Sequence, residues 1–334
     1  MSGREGNPFA GLLAIDKPAG ITSHDAVLEV RKRLCSLGAG HLGTLDPGAS
    51  GLLLVAMGAA TRAIPVWRWG EKTYEGRARF GLVTSTQDLQ GEWLEERPWE
   101  GLGESAIREM TARFTGEIEQ IPPMVSALKV KGERLHRLAR RGITVERAPR
   151  RVTVRSWEWL AFVLPEASFR VRCSSGTYVR TLVHDLGAAL GTGAALAALR
   201  RTRSEPFGLE RSVSLDDLQQ RSIPEVLERG GIPLDEALRV IPDVTLDEAG
   251  ALEIGMGGRP RVVAGGAAVG TGPRSVVLRG PDGRALALGE LQPCDAPGRV
   301  LACPHVVFPW AVRSGRGAGR PEMRRDAIAA APEE

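Results

Sequence analysis

Tyrosine is nearly missing from this chain: two in 334 residues, Tyr74 and Tyr178, against seven phenylalanines and seven tryptophans. Where one aromatic is so scarce, each remaining copy is a candidate for needing its hydroxyl, although a core ring with a satisfied O–H is the commoner meaning of any single tyrosine. Cysteine is sparse too. Cys35, Cys173, Cys294 and Cys303 lie far apart without a Cys-x-x-Cys pair, and His24, His41, His136, His184 and His305 form no His-x-x-x-His or His–Cys cluster. A metal site and a disulfide framework are therefore both disfavoured. No apolar run approaches the length needed to cross a bilayer. The opening Met-Ser-Gly-Arg-Glu-Gly-Asn-Pro carries no apolar segment of the kind that directs export, so the expectation is a cytoplasmic chain without membrane contact. Nucleotide-cofactor motifs fail as well. Gly191-Thr-Gly193 and Gly270-Thr-Gly272 lack a third glycine in register, and there is no Walker A sequence, no Gly-x-Ser-x-Gly elbow and no His-Glu-x-x-His. Any reaction must rest on ordinary side chains, with no cofactor.

What is present begins with an ordinary globular balance, 43% hydrophobic and 25% charged, long enough for one large and one small domain. Net charge is only +4. Its distribution says more. Between Lys129 and Arg155 stand ten basic residues, among them Lys129, Lys131, Arg134, Arg137, Arg140 and Arg141, against two acids, Glu133 and Glu146. That local excess of +8 is twice the charge of the whole chain. A solvated face is the usual meaning of such a run, but Pro122-Pro123 and Lys131-Gly132 punctuate it and suggest a projecting element. Arginine outnumbers lysine 39 to 5, which suits planar phosphate and base contacts; a GC-rich codon choice explains the ratio but not the clustering.

Along the chain, Leu12-Leu-Ala-Ile15 reads as a strand, and Lys17-Pro18-Ala-Gly20 as a turn. Thr22 and Ser23 then offer N-cap hydroxyls, with Asp25 placed as in a capping box, ahead of Val27, Val30 and Leu34 at helical spacing and Gly38 as a stop. Leu52–Val55 reads as a buried strand. Tyr74 to Phe80 alternates with Glu75, Arg77 and Arg79, a strand with a basic outer face. Ile107, Met110 and Phe114 mark a second helix. Strands at Val152–Val154 and Phe169–Cys173 run into Ser174-Ser-Gly-Thr177, after which Val179, Leu182, Val183, Leu186 and Leu190 repeat at helical spacing. The pattern is α+β without regular βαβ alternation. From Pro242 to Trp310 the chain turns glycine-rich and short-stranded, a small β-rich domain; residues 313–334 are expected to be a disordered tail.

Asp46 stands in His41-Leu-Gly-Thr-Leu-Asp46-Pro-Gly48. On local sequence alone this is a turn, with Asp at its first position and Pro pre-setting the next φ. The surrounding glycines would also let another backbone come close. His41 reads by itself as a loop histidine. Arg180, at the start of a helix, sits where the dipole disfavours a cation, so a nearby carboxylate would explain it, and Asp46 is a candidate.

Taken together, these segments strongly resemble the bacterial tRNA pseudouridine-55 synthases of the TruB family. The matching pieces are Ile15-Asp-Lys17-Pro18-Ala-Gly-Ile-Thr22-Ser23, Gly40-His41-Leu-Gly-Thr-Leu-Asp46-Pro47, Lys72-Thr-Tyr74, Gln120-Ile-Pro-Pro-Met-Val-Ser126-Ala-Leu-Lys129, Cys173-Ser-Ser-Gly-Thr-Tyr178-Val-Arg180-Thr and Leu199-Arg-Arg. The resemblance implies a pseudouridine-synthase fold: a central mixed, mainly antiparallel sheet flanked by helices over residues 10–238, a basic RNA-embracing insertion at about 122–152, and a PUA-like RNA-binding domain at 240–312. It implies Asp46 as the nucleophile, Arg180 as its ionic partner, and Tyr74 as the ring stacked on the target base and a candidate for proton transfer. Tyr178 and Leu199, with Lys17, would complete the base pocket, and His41 would fill the gap left by a flipped nucleotide. The substrate implied is the tRNA T-stem-loop, handled without cofactor, metal, membrane or required protein partner by a monomer. Ser175 replaces a frequent lysine and Val125 a frequent aromatic. Two alternatives stay open: a tRNA-binding or folding module with little catalysis, and a guide-dependent rRNA pseudouridine synthase.

Overall fold

The computed structural model describes residues 9–312, apart from 37, 69, 127, 131–132, 136–137, 139–140, 144 and 264–274. The expected tail, and Lys131, Arg137 and Arg140 of the basic segment, lie outside the described residues.

Strand β1 (Gly11–Lys17) is apolar on both faces and buried almost throughout, as a strand covered on both sides must be. Helix α1 (Ser23–Arg33) follows. Thr22 caps it in a full capping box: its hydroxyl accepts from Asp25 N at 3.1 Å, and Asp25 accepts from Thr22 N at 2.9 Å. The helix stops before Gly38. Leu34, fully buried, is its C-cap, and Cys35 takes the left-handed conformation at φ 48°.

The chain then lays down β2 (Ser50–Met57), β3 (Lys72–Phe80), helix α2 (Glu104–Ala112), β4 (Gly116–Gln120), β5 (Arg150–Val163), β6 (Glu166–Cys173), helix α3 (Val179–Ala189), β7 (Ala194–Ser204) and β8 (Val213–Ser214). These strands form one sheet in the order β8-β1-β2-β7-β3-β6-β5-β4. Two neighbour pairs, β1–β8 and β2–β7, are parallel; the other five are antiparallel. The sheet is thus mixed and mainly antiparallel, as expected. Helix α3 packs Leu182, Val183 and Leu186 against Phe80, Phe169 and Leu196, while α1 packs Val27 and Val30 against Leu13, Leu53 and Val55. The outer face of β3 is less basic than its sequence suggests, because Arg77 pairs with Glu166 at 2.8 Å, and Glu75 takes Arg170 at 2.7 Å.

Beyond Pro242 a second, five-stranded sheet forms from β9 (Asp243–Thr245), β10 (Arg261–Val263), β11 (Val276–Arg279), β12 (Ala285–Pro293) and β13 (Arg299–Val307), in the order β9-β11-β12-β13-β10. It has its own core around Leu246, Ile254, Leu278 and Ala302. A further cluster crosses between the sheets. Leu12, Leu54, Ile232 and Leu238 meet Val277, Leu288 and Phe308 in one buried group.

Candidate active site

The segment between β1 and β2 comes to rest where the central strands end. Asp46 O accepts from Ala49 N at 3.0 Å, so Asp-Pro-Gly-Ala is indeed a β-turn; the carboxylate belongs to its first residue. Four ties hold this turn. The Ser23 hydroxyl accepts from Leu45 N at 2.8 Å and donates to Leu45 O at 2.9 Å. Gly20 N donates to Pro47 O at 2.8 Å. Arg201, 3% exposed, donates to Gly43 O at 3.1 Å and to Leu52 O at 2.7 Å, stitching the loop to β2. Gly51, at φ +100°, makes that stitch possible: a methyl there would lie 2.3 Å from the Arg201 carbonyl oxygen.

The fourth tie is ionic. Arg180 Nε sits 2.9 Å from Asp46 Oδ2 and 3.7 Å from Asp88 Oδ2. The other two guanidinium nitrogens donate to Thr86 O at 2.8 Å and Val125 O at 2.9 Å. The Arg180 side chain is 4% exposed, whereas that of Asp46 keeps 40%. A fully engaged, buried cation therefore presents a partly open carboxylate. The two acids also offset the cost of a cation in the first turn of α3. Asp46 is not a lone carboxylate, however. Burial pushes its carboxyl above the ordinary value, with Asp88 adding to the rise and Arg180 and Lys17 opposing it. Arg180 restrains the upward shift without reversing it.

Asp88 comes from the loop between Leu82–Thr84 and Trp93–Glu96, and that loop is fixed to β7: Leu89 N donates to Leu196 O at 3.1 Å, and Leu196 N to Gln87 O at 3.0 Å. Asp46, Asp88, Arg180 and Gln90 then line one pocket together with Leu89 and the apolar run Leu196 to Leu199. A larger cavity, about 390 Å³, lies under Trp93 and Trp99; it contains none of the site residues expected from sequence, and the chemistry favours the smaller one.

Tyr74 lies on β3, half-buried against both the α1 and α3 clusters together with Leu199. Burial raises its phenol above the ordinary value, with Arg201 pulling the other way, so the hydroxyl keeps its proton at neutral pH. Tyr178 is the N-cap of α3. Its backbone is held on both sides by the Gln120 carboxamide, which accepts from Tyr178 N at 2.8 Å and donates to Tyr178 O at 3.0 Å. Its phenol is likewise raised by burial. His41 ends a short strand paired with β2; burial lowers its pKa to about 4, and its buried Nδ1 has no hydrogen-bond partner among the described residues. Lys17 is fully buried, with its ammonium on Pro18 O and Ile21 O at 2.8 Å each, and its pKa is lowered to about 8. It braces the turn beside the Asp46 loop. In the basic segment, Lys129 and Arg134 pair in a two-stranded element, and Arg141 pairs with Glu133 at 2.9 Å. Among the described residues no group of His, Cys, Asp or Glu is placed to hold a metal ion.

Sequence reasoning does not single out Asp88, Gln90 or Ser23 for this site. The signal for Asp88 is the helix-start cation Arg180, which asks for more than one acid once it is buried.

Comparison with known proteins gives a consistent answer. Residues 31–179 match the model of the TruB family pseudouridylate synthase N-terminal domain, and residues 180–239 that of the tRNA pseudouridylate synthase B C-terminal domain. The chain is 43% identical over 289 residues to a tRNA pseudouridine synthase B of Thermobifida fusca, covering 84% of this chain and 94% of that protein. It is 46% identical over 227 residues to one of Bordetella avium, covering 67% and 93%. Among solved structures, a chain of a Cbf5-Nop10-Gar1 complex superposes with a TM-score of 0.70 at 27% identity, covering 94% of both chains.

Proposed function

The chain belongs to the TruB family of pseudouridylate synthases and is an isomerase that makes pseudouridine in tRNA; from that premise we propose that it acts on uridine 55 of the T-loop with Asp46 as nucleophile. The observation that carries the reading is the Arg180–Asp46 pair at 2.9 Å in a pocket lined also by Leu196 and Leu199. The glycosidic bond and C5 are out of reach while the base is stacked, so the nucleotide must flip, at a cost of a few kcal/mol. Asp46 attacks C6 of the base or C1′ of the ribose as the C1′–N1 bond breaks. The base turns and C5 bonds to C1′ as the bond to Asp46 breaks and frees the carboxylate; C5 then gives up its proton and N1 takes one up. Tyr74 stacks on the ring, Tyr178 and Leu199 complete the pocket, and neutral His41 fills the space in the loop. Phosphates are gripped by the basic segment.

Replacing Asp46 with Asn is expected to abolish tritium release from C5-labelled uridine in tRNA while leaving tRNA binding measurable; retained turnover removes Asp46 from the role. A second reading, a guide-dependent rRNA pseudouridine synthase, stands beside it because the chain is similar to one that works in a complex with other proteins, the Cbf5-Nop10-Gar1 complex. Conversion of a bare T-stem-loop transcript by the purified chain decides for the first.

A further inference from the structure

We propose that the Gln90 carboxamide hydrogen-bonds the ribose 2′-hydroxyl of the flipped uridine, an inference that rests on Asp46 working at the glycosidic bond. Gln90 has a fixed backbone and an uncommitted head. Its N–H donates to Asp88 Oδ1 at 3.1 Å, and the preceding residue is bonded to β7. Its exposed carboxamide makes no hydrogen bond among the described residues, yet it lines the same pocket as Asp46 and Arg180.

The position of that head is set by Gly48. A methyl group placed on Gly48 would come within 2.7 Å of Gln90 Nε2, 2.8 Å of Cδ and 3.0 Å of Oε1. Three such similar distances mean that the amide lies flat over the Gly48 Cα, just past the turn that presents Asp46. The base packs on the apolar residues of the lining, Leu196 and Leu199, while the ribose stays outward, tied to its own strand. A carboxylate that works at C1′ marks the sugar–base junction, and C2′ is one bond away. The ring oxygen O4′ is equally close to C1′, but of the two positions only C2′ carries a group that can both donate and accept. A carboxamide both donates and accepts, which matches a hydroxyl. Asp46 and Asp88 outnumber Arg180 in this pocket, so a phosphate at the same place would be repelled. Contact with the 2′-hydroxyl is also what lets a protein tell RNA from DNA at one nucleotide.

The test compares T-stem-loops carrying uridine or 2′-deoxyuridine at the target position alone, bound to the Asp46→Asn chain so that no turnover intervenes. The chain with Gln90 is expected to prefer the ribonucleotide by about three- to tenfold, the worth of one neutral hydrogen bond. Adding Gln90→Ala should bring that ratio close to one. Gly48→Ala, which pushes the carboxamide off its seat, should do the same without removing it. A ratio unchanged by Gln90→Ala overturns the proposal, as does an equal loss for both RNAs or the lack of any preference at the start. Failure of the wild-type chain to convert the all-ribose stem-loop would instead overturn the underlying functional reading.

Discussion

One hydroxyl, that of Ser23, holds both polar groups of the Leu45 backbone, accepting its N–H at 2.8 Å and donating to its carbonyl at 2.9 Å. Ser23 and Leu45 are both buried, and the next residue is Asp46. The first turn of α1 therefore sets where the carboxylate stands. Ser23→Ala should leave two buried backbone groups without partners, costing about 1–3 kcal/mol of stability. It should also lower kcat more than it raises KM, because the basic segment proposed to hold the RNA is untouched. Urea unfolding together with steady-state tritium release checks both parts; a stability loss with unchanged kcat would show that Asp46 is positioned by its other ties.

Arg180 and Asp88 pull the Asp46 carboxyl in opposite directions. A rate that needs the carboxylate falls as pH drops through its pKa, so the acid limb of kcat/KM reports that group. Arg180→Gln removes the charge that lowers it and should move the limb to higher pH, with a loss of about a hundredfold or more at neutral pH. Asp88→Asn removes a charge that raises it and should move the limb to lower pH. Shifts in the same direction in both variants would mean that Asp46 does not govern the limb.

Lys17 is buried with a pKa near 8, against 10.5 for an exposed lysine. Between those values the unfolded chain holds a proton that the folded one has released, so this group makes stability climb as pH rises from about 8 to 10.5. Burial of the charged form is what costs stability below pH 8. Buried Cys173 and the tyrosines titrate with the opposite sign, so the quantity to follow is the difference between wild type and Lys17→Met. That difference in unfolding free energy should grow across the window; a flat one would show that Lys17 is protonated in the folded chain throughout.

Replacing Arg137, Arg140 and Arg141 together with Ala should weaken tRNA binding and flatten its salt dependence, because fewer counterions are released. Each phosphate no longer neutralised should reduce the slope of log affinity against log salt by about 0.7–0.9. An unchanged slope would make this segment a merely solvated face.

The parts of this molecule that depend on neighbours in sequence can be read from it. The Thr22–Asp25 capping box, the buried runs of β1 and β2 and the helical spacing of α3 are local patterns, and the structure repeats them. Ser23 shows the limit: as a residue type it reads as a spare N-cap, but Thr22 takes that role and the Ser23 hydroxyl turns to Leu45. Asp88 is invisible in sequence for the same reason. Thr84-Ser-Thr-Gln-Asp88 looks like any polar loop, and only the pinning of that loop to β7 brings its carboxylate to Arg180. Asp46 itself is the first residue of a turn, as its local sequence reads, and its carboxylate also meets the buried Arg180 that the helix start leaves in want of an acid.

The cluster in which Leu12 and Leu54 meet Leu288 and Phe308 has a consequence for dissection of the chain. The C-terminal sheet supplies part of the wall behind the strands that carry the Asp46 loop, and the Arg62 guanidinium adds a bond to Val307 O across the same seam. A clone ending near residue 240 would leave that wall bare, an apolar face seeking another surface. Such a fragment should self-associate and be cleaved readily by proteases, so its poor activity would say little about whether the missing part touches RNA. Point changes on the outer surface of the C-terminal sheet, with the seam kept whole, are the sound way to ask that question.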